Sequence, residues 1–169
     1  TLYLNEAYNN TNGIYLTTAD DNNLTTNKAW NNTHGFLFES TADNNYLYDN
    51  NLYENTDSGI TMGGTFNTLF ANDLYNNGGR GIQMTGADNN TLIHNTLFGN
   101  YEAILMDSGN DYNNISYNTV FNNTFRGITC NNGGNHNIFS YNTVFNNSDE
   151  GFYLGSSFNN SIFCNNITD

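Results

Sequence analysis

The sequence predicts an all-β chain, a single-stranded parallel β-solenoid of about seven coils, each of 22–24 residues and three short strands, with internal asparagine ladders and no obvious caps. Three observations predict it. An asparagine returns every 22 to 24 residues, at Asn5, Asn27, Asn50, Asn72, Asn95, Asn118, Asn142 and Asn165. Two further columns keep step with it, five residues before (Asn22, Asn45, Asn67, Asn90, Asn113, Asn137, Asn160) and five residues after (Asn10, Asn32, Asn55, Asn77, Asn100, Asn123, Asn147). Between the asparagines the chain alternates apolar and polar residues at the strand period, and no segment sustains helical spacing. A period of this length, held throughout, is the signature of a repeat architecture in which each coil buries its apolar face against its neighbours.

Counting from the recurring Asn, the first strand carries an aliphatic residue three positions upstream: Leu2, Leu24, Leu47, Leu69, Leu92, Ile115 and Ile162, with Ile138 or Phe139 taking the slot where one gap is longer. The second strand places Ala7, Ala29, Leu52, Leu74, Leu97, Val120, Val144 and Ile167 two positions downstream. The third opens on glycine and alternates, as in Gly35-Phe36-Leu37-Phe38 and Gly81-Ile82-Gln83-Met84, except that Ala103 replaces glycine in one coil. Glycine there suits a left-handed or close-packed backbone, which makes Ala103 the least comfortable of these positions. Coils stacked at the strand spacing of about 4.8 Å would build a rod on the order of 34 Å long. An inward Asn carries two donors and two acceptors, so a column of them is affordable only where each amide bonds the next coil's. An unpaired buried amide would cost about 1–3 kcal/mol, and the columns are therefore read as scaffold.

The string Asn-Asn-Thr-Leu-Ile-His-Asn-Thr-Leu-Phe-Gly-Asn at 89–100, and its counterpart from Asn113 to Asn123, resemble the right-handed parallel β-helix repeats of NosD-like and pectate-lyase-like proteins. The similarity covers essentially the whole chain. It implies right-handed coiling, in line with the hand of parallel crossovers. For function it implies a range, from lyases and glycosidases to surface proteins and periplasmic copper-associated proteins.

The formal charge of −13, with Lys28, Arg80 and Arg126 as the strong cations, argues against nucleic acid as a partner. No stretch is apolar enough for a membrane span, and the start at Thr1 reads as a processed protein or an excised piece. An extracellular or cell-surface location is expected. Cys130 and Cys164 occupy different offsets in their coils and are read as packed thiols.

Candidate chemistry is sparse. A partial acidic column, Asp21, Asp43, Asp88 and Asp111, would suit calcium if any ion, but it reads as solvated loop acids; no cofactor and no catalytic residue are predicted. Arg80 and Arg126 look too isolated for a lyase site. Copper, which the resemblance implies, would need soft ligands such as Met62, Met84, Met106 and Cys130, yet Leu16, Phe38 and Leu154 fill the same column, which reads as core. His34, His94 and His136 fall at three different offsets. Asn9, Asn31, Asn122 and Asn146 are sequon asparagines just before an inward Asn, where they would face out as N-glycosylation candidates.

Immediately after each second-strand aliphatic comes a ring: Tyr8, Trp30, Tyr53, Tyr75, Phe98, Phe121 or Phe145. Strand alternation would turn this column outward, as a face for another chain or for stacking on a glycan; a bend that reversed the pair would instead place the rings in the core. The terminal strands, Leu2-Tyr3-Leu4 and Asn165-Asn166-Ile167, carry little charge and would allow head-to-tail stacking of copies. Two functions follow as expectations. One is a non-enzymatic structural solenoid of a cell-surface layer, sheath or fibre that assembles end to end; the other is a carbohydrate-binding or polysaccharide-cleaving β-helix.

Overall fold

A computed structural model of the chain describes residues 1–168. Strands wind into three parallel sheets that run the length of the molecule. Sheet 1 has eight strands, from Leu2–Tyr3 to Ser161–Phe163; sheet 2 has eight, from Glu6–Tyr8 to Asn166–Thr168; sheet 3 has seven, from Asn12–Leu16 to Phe152–Gly155. Each coil gives one strand to each sheet, and equivalent residues lie directly above one another. Leu69 pairs with Leu92, Leu74 with Leu97, and Met84 with Met106.

The inside of the coil is a column of aliphatics from each sheet, among them Leu47, Leu69 and Leu92, Leu52, Leu74 and Leu97, and Ile60, Ile82 and Ile104, all at most 1% exposed. The longer gap is settled in favour of Phe139, which pairs with Ile115 and is fully buried, while Ile138 turns outward. Met62, Met84, Met106 and Cys130 belong to the same core, where unbranched thioethers fill the space that Leu16 and Phe38 fill in other coils.

The corners are where the asparagines act. In every successive pair of each ladder, the side-chain Oδ1 accepts the backbone N–H of the Asn one coil earlier, at 2.7–3.1 Å. Asn72 shows the full pattern. Its Oδ1 accepts from the N–H and the Nδ2 of Asn50, and its own Nδ2 donates to the Leu47 carbonyl and to Asn95 Oδ1. The amide thus satisfies a bend backbone that no sheet ladder could reach.

Each ladder Asn is preceded by a residue in the left-handed region, with φ between 53° and 67°. Asn and Gly take some of these places, but so do Leu4, Phe66, His94, Tyr117 and Cys164. For such residues the conformation costs roughly 1–2 kcal/mol, which the pair of amide bonds made by the following Asn offsets. The third-strand glycines are different. Gly35 is not left-handed; a Cβ there would lie 2.5 Å from the Gly59 carbonyl oxygen, so of the two readings from sequence it is close packing that requires glycine.

Replacing Asn72 by Ala should therefore lower stability by about 3 kcal/mol or more, since it orphans the Asn50 N–H and the Leu47 carbonyl together. Asn76→Gly, at the exposed left-handed corner between sheets 2 and 3, should change it by less than about 1 kcal/mol. Urea denaturation followed by circular dichroism measures both.

Candidate functional site

The outer face of sheet 3 collects side chains that no repeat rule requires. In four consecutive coils the residue just before the third-strand glycine, or before Ala103 in its place, is Arg80, Glu102, Arg126 and Glu150, an alternating charge ladder. Arg80 Nε lies 3.9 Å from Glu102 Oε2, and Arg126 Nε donates to Glu150 Oε2 at 2.6 Å with Asp149 Oδ2 at 3.9 Å. The Arg126 guanidinium packs 3.9 Å above the Tyr153 ring and 4.5 Å from the Phe125 ring, which fixes its plane. Arg80 Nε is buried and has no hydrogen-bond partner among the described residues. Arg80 and Arg126, read from sequence as too isolated for a lyase site, each lie beside acidic groups of the adjoining coil, since stacking brings distant positions together wherever they share an offset.

Glu102 is the buried member of the ladder, its side chain 4% exposed. Burial pushes its carboxyl above the usual glutamate range, against the opposing pull of the Thr129 hydroxyl that donates to it and of Arg80 and Arg126 on either side. Glu150 moves the other way, held down chiefly by the hydrogen bond from Arg126. Toward the N-terminal end of the same face, Tyr15 donates to Glu39 at 2.8 Å, and His34 Nδ1 lies 3.3 Å from Thr61 Oγ1 and 3.9 Å from Asp57. Half-buried Thr61 and Gln83 line the middle. Sequence reasoning missed Glu102, Glu150, Thr129, Tyr153 and Gln83; the column preceding the glycines was the signal that would have found them.

The aromatic column of sheet 2 does lie on the outside, and its rings are ordered. Tyr8, Trp30, Tyr53, Tyr75, Phe98, Phe121 and Phe145 stack with centroids 4.7–5.9 Å apart and planes within 18° of parallel. Each ring covers the faces of its neighbours, so the column presents ring edges to solvent. Sugar stacking needs free faces, and the interactions made here are with the column itself.

The acidic column changes membership. Asp20, rather than Asp21, is equivalent to Asp43; Asp21 is the left-handed corner residue. Asp43 accepts from Thr65 N, Asp88 from Asp111 N, and Asp111 from Asn135 N, so one oxygen of each is committed to the next coil's backbone. Among the described residues no group of three His, Cys, Asp or Glu is placed to hold a metal. The Met62, Met84, Met106 and Cys130 column does not fit copper either: it is sealed in the core, and burial pushes the Cys130 thiol up to about 11. The histidines remain apart, with His94 stacked on Tyr117 and His136 on Tyr112.

Asn9, Asn31, Asn122 and Asn146 are exposed left-handed corner residues. Cys164 is also an exposed corner residue, which corrects its reading as a packed thiol. Of the strands expected to stack end to end, Leu2 and Tyr3 lie on the outer strand of sheet 1 beside corner residue Leu4, and Asn166 and Ile167 on the outer strand of sheet 2 next to ladder residue Asn165. A shallow notch of about 190 Å³ at the corner of sheets 1 and 2 is lined by Thr26, Lys28, Asp49, Asn51 and Asp73.

This architecture defines a class, the parallel β-solenoids with a decorated flat face. The chain belongs to the right-handed β-helix family, whose description, right handed beta helix region, matches residues 59–169. Residues 1–79 match the family described as periplasmic copper-binding protein (NosD). Among solved structures it is similar to the T265N mutant of the periplasmic alginate epimerase AlgG, with TM-score 0.82 and 15% identity over 98% of this chain and 47% of that one. It is also similar to pectate lyase Pel9A, with TM-score 0.68 and 14% identity over 86% of this chain and 46% of that one. A third similar structure is the enzymatically active domain of bacteriophage CBA120 tailspike protein 2, with TM-score 0.68 and 12% identity over 83% of this chain and 23% of that one. At these identities the likeness shows the fold, and the chain spans less than half the length of each of these three structures. No curated protein sequence matches it.

Because the Glu102 carboxyl is raised, between its unfolded and folded values the folded state binds a proton there more readily than the unfolded chain does. Its contribution to stability is present in acid and is lost as pH rises through the folded value. Glu102→Gln should accordingly raise the melting temperature at pH 8, with the gap to wild type closing as pH falls toward 4, as followed by thermal melts across that range.

Proposed function

We propose that this chain is a polysaccharide-binding β-helix acting outside the cytoplasm, at the cell envelope or beyond it, and that a glycan strand lies along the outer face of sheet 3. The observation that carries the reading is the convergence there of the Arg80, Glu102, Arg126 and Glu150 ladder with Tyr153, Thr129, Gln83 and Thr61. Seven in-register strands make a track on the order of 29 Å long, with a step of about 4.8 Å between equivalent side chains, polar at Thr61, Gln83, Thr129 and Tyr153 and apolar at Leu37 and Leu105. An extended polysaccharide is a linear repeat of comparable step, and each sugar offers hydroxyls to such groups. The solved structures that resemble the chain are named for alginate and pectate chemistry, which supports the glycan reading over end-to-end assembly. No contact of the chain bears independently on assembly between copies.

The reading is one of binding. Arg80 faces Glu102, and Arg126 is engaged by Glu150 and Asp149 and stacked on rings, the arrangement of a fixed recognition surface rather than of a group poised to move a proton.

Affinity electrophoresis or calorimetry against a panel of polysaccharides tests it. Gln83→Trp fills the middle of the track while leaving the Asn ladders intact, and it should weaken binding by about tenfold or more, a loss near 1.4 kcal/mol. Trp30→Ala, on sheet 2, should leave binding within about twofold. Equal losses for the two variants would move the site off sheet 3.

A further inference from the structure

We propose that the glycan taken by this face is an uncharged, hydroxyl-rich polysaccharide, unlike the uronate polymers for which the similar enzymes are named. The inference rests on the sheet 3 reading above and adds the chemical class of the ligand.

A polyuronate needs cations with free donor edges. The face has two guanidinium groups, and each already faces a glutamate of the next coil, Arg126 through a hydrogen bond and Arg80 as a 3.9 Å ion pair. Arg126 Nε donates to Glu150 at 2.6 Å, with Asp149 at 3.9 Å, and its plane is covered by the Tyr153 and Phe125 rings. Arg80 leans toward Glu102, whose carboxylate is shared by the field of both arginines. An incoming carboxylate would have to displace Glu150 from a charge-assisted bond or sit beside Glu102 at a spacing where like charges repel.

Beyond the two arginines the face adds His34 at its N-terminal end and otherwise acid. Glu39 and Asp107 lie on the track and Asp57 on its rim, and the whole chain carries a formal charge of −13 that repels a polyanion at long range. The same groups suit hydroxyls. An ionised carboxylate accepts through about four lone-pair positions, and Glu39 and Asp107 each accept from one side chain, Tyr15 and Asn132 respectively. Thr61 and Gln83 both donate and accept. A surface rich in acceptors, with its cations internally paired, recognises donors without charge.

Binding of hydroxyethyl cellulose and galactomannan, compared with polygalacturonate and alginate, tests the class. The wild-type protein should bind an uncharged polymer at least about tenfold more tightly than either polyuronate at low salt. Its affinity for the uncharged polymer should change by less than about twofold on raising the salt to where exposed charges are screened. Glu150→Gln frees Arg126 and should improve polyuronate binding about fivefold at low salt while leaving the uncharged polymer unaffected; its circular dichroism spectrum and melting temperature confirm the fold. Preferential binding of a polyuronate that Gln83→Trp abolishes would overturn the class and keep the site. Binding of an uncharged polymer that is indifferent to Gln83→Trp would keep the class and overturn the site. Failure of every polymer to bind would overturn both.

Discussion

The hydrogen bond from the backbone N–H of one corner asparagine to the side-chain oxygen of the asparagine one coil later is the interaction on which the rest of this structure depends. A solenoid must turn the chain three times per coil, and at each turn the backbone leaves the sheet with donors and acceptors unspent. Stacked amides close that account within the protein, as the four bonds of Asn72 illustrate. Because each bond joins neighbouring coils, it also fixes their pitch and registry. The flat outer faces follow from that registry: Arg80, Glu102 and Arg126 meet because three corners hold their coils in step.

The same interaction explains how residues as varied as Phe66, His94 and Cys164 share a left-handed corner. Conformational preference does not place them there. The Asn that follows does, by tying its own N–H and amide into the stack. Corner side chains are free to vary, and some of that freedom is used for ring stacks such as Tyr117 on Tyr141, with centroids 4.9 Å apart. The larger stack on sheet 2 belongs with these, since rings that cover one another stabilise the wall of the rod and leave edges outside.

Most of the fold was legible because each structural demand recurs in every coil. The ladder Asn, the inward aliphatics and the third-strand glycines are required by position, and repetition separates requirement from accident. The left-handed corners were not legible, since their residue types scatter and the constraint resides in the next residue. The candidate site was harder still. A site is where the repeat is broken, so Glu102 or Tyr153 looks like noise until the columns are aligned and the outward neighbours compared. Arg80 and Arg126 are 46 positions apart in sequence but two coils apart in space. Glu102 escaped for a second reason: nothing in its identity announces that Thr129 and two guanidinium groups will bury it.

Amide hydrogen exchange resolved by NMR, including the side-chain amides of asparagine, tests the central claim most directly. If the ladders hold the coils in register, the backbone N–H and Nδ2 protons of Asn50, Asn72, Asn95 and Asn118 will exchange together, at the rate set by global unfolding. The amides of the exposed left-handed asparagines, such as the Nδ2 of Asn31 and Asn122, will exchange orders of magnitude faster. Ladder side-chain amides that exchange as quickly as those at exposed corners would contradict the account, and the coils would then have to be held by apolar packing alone.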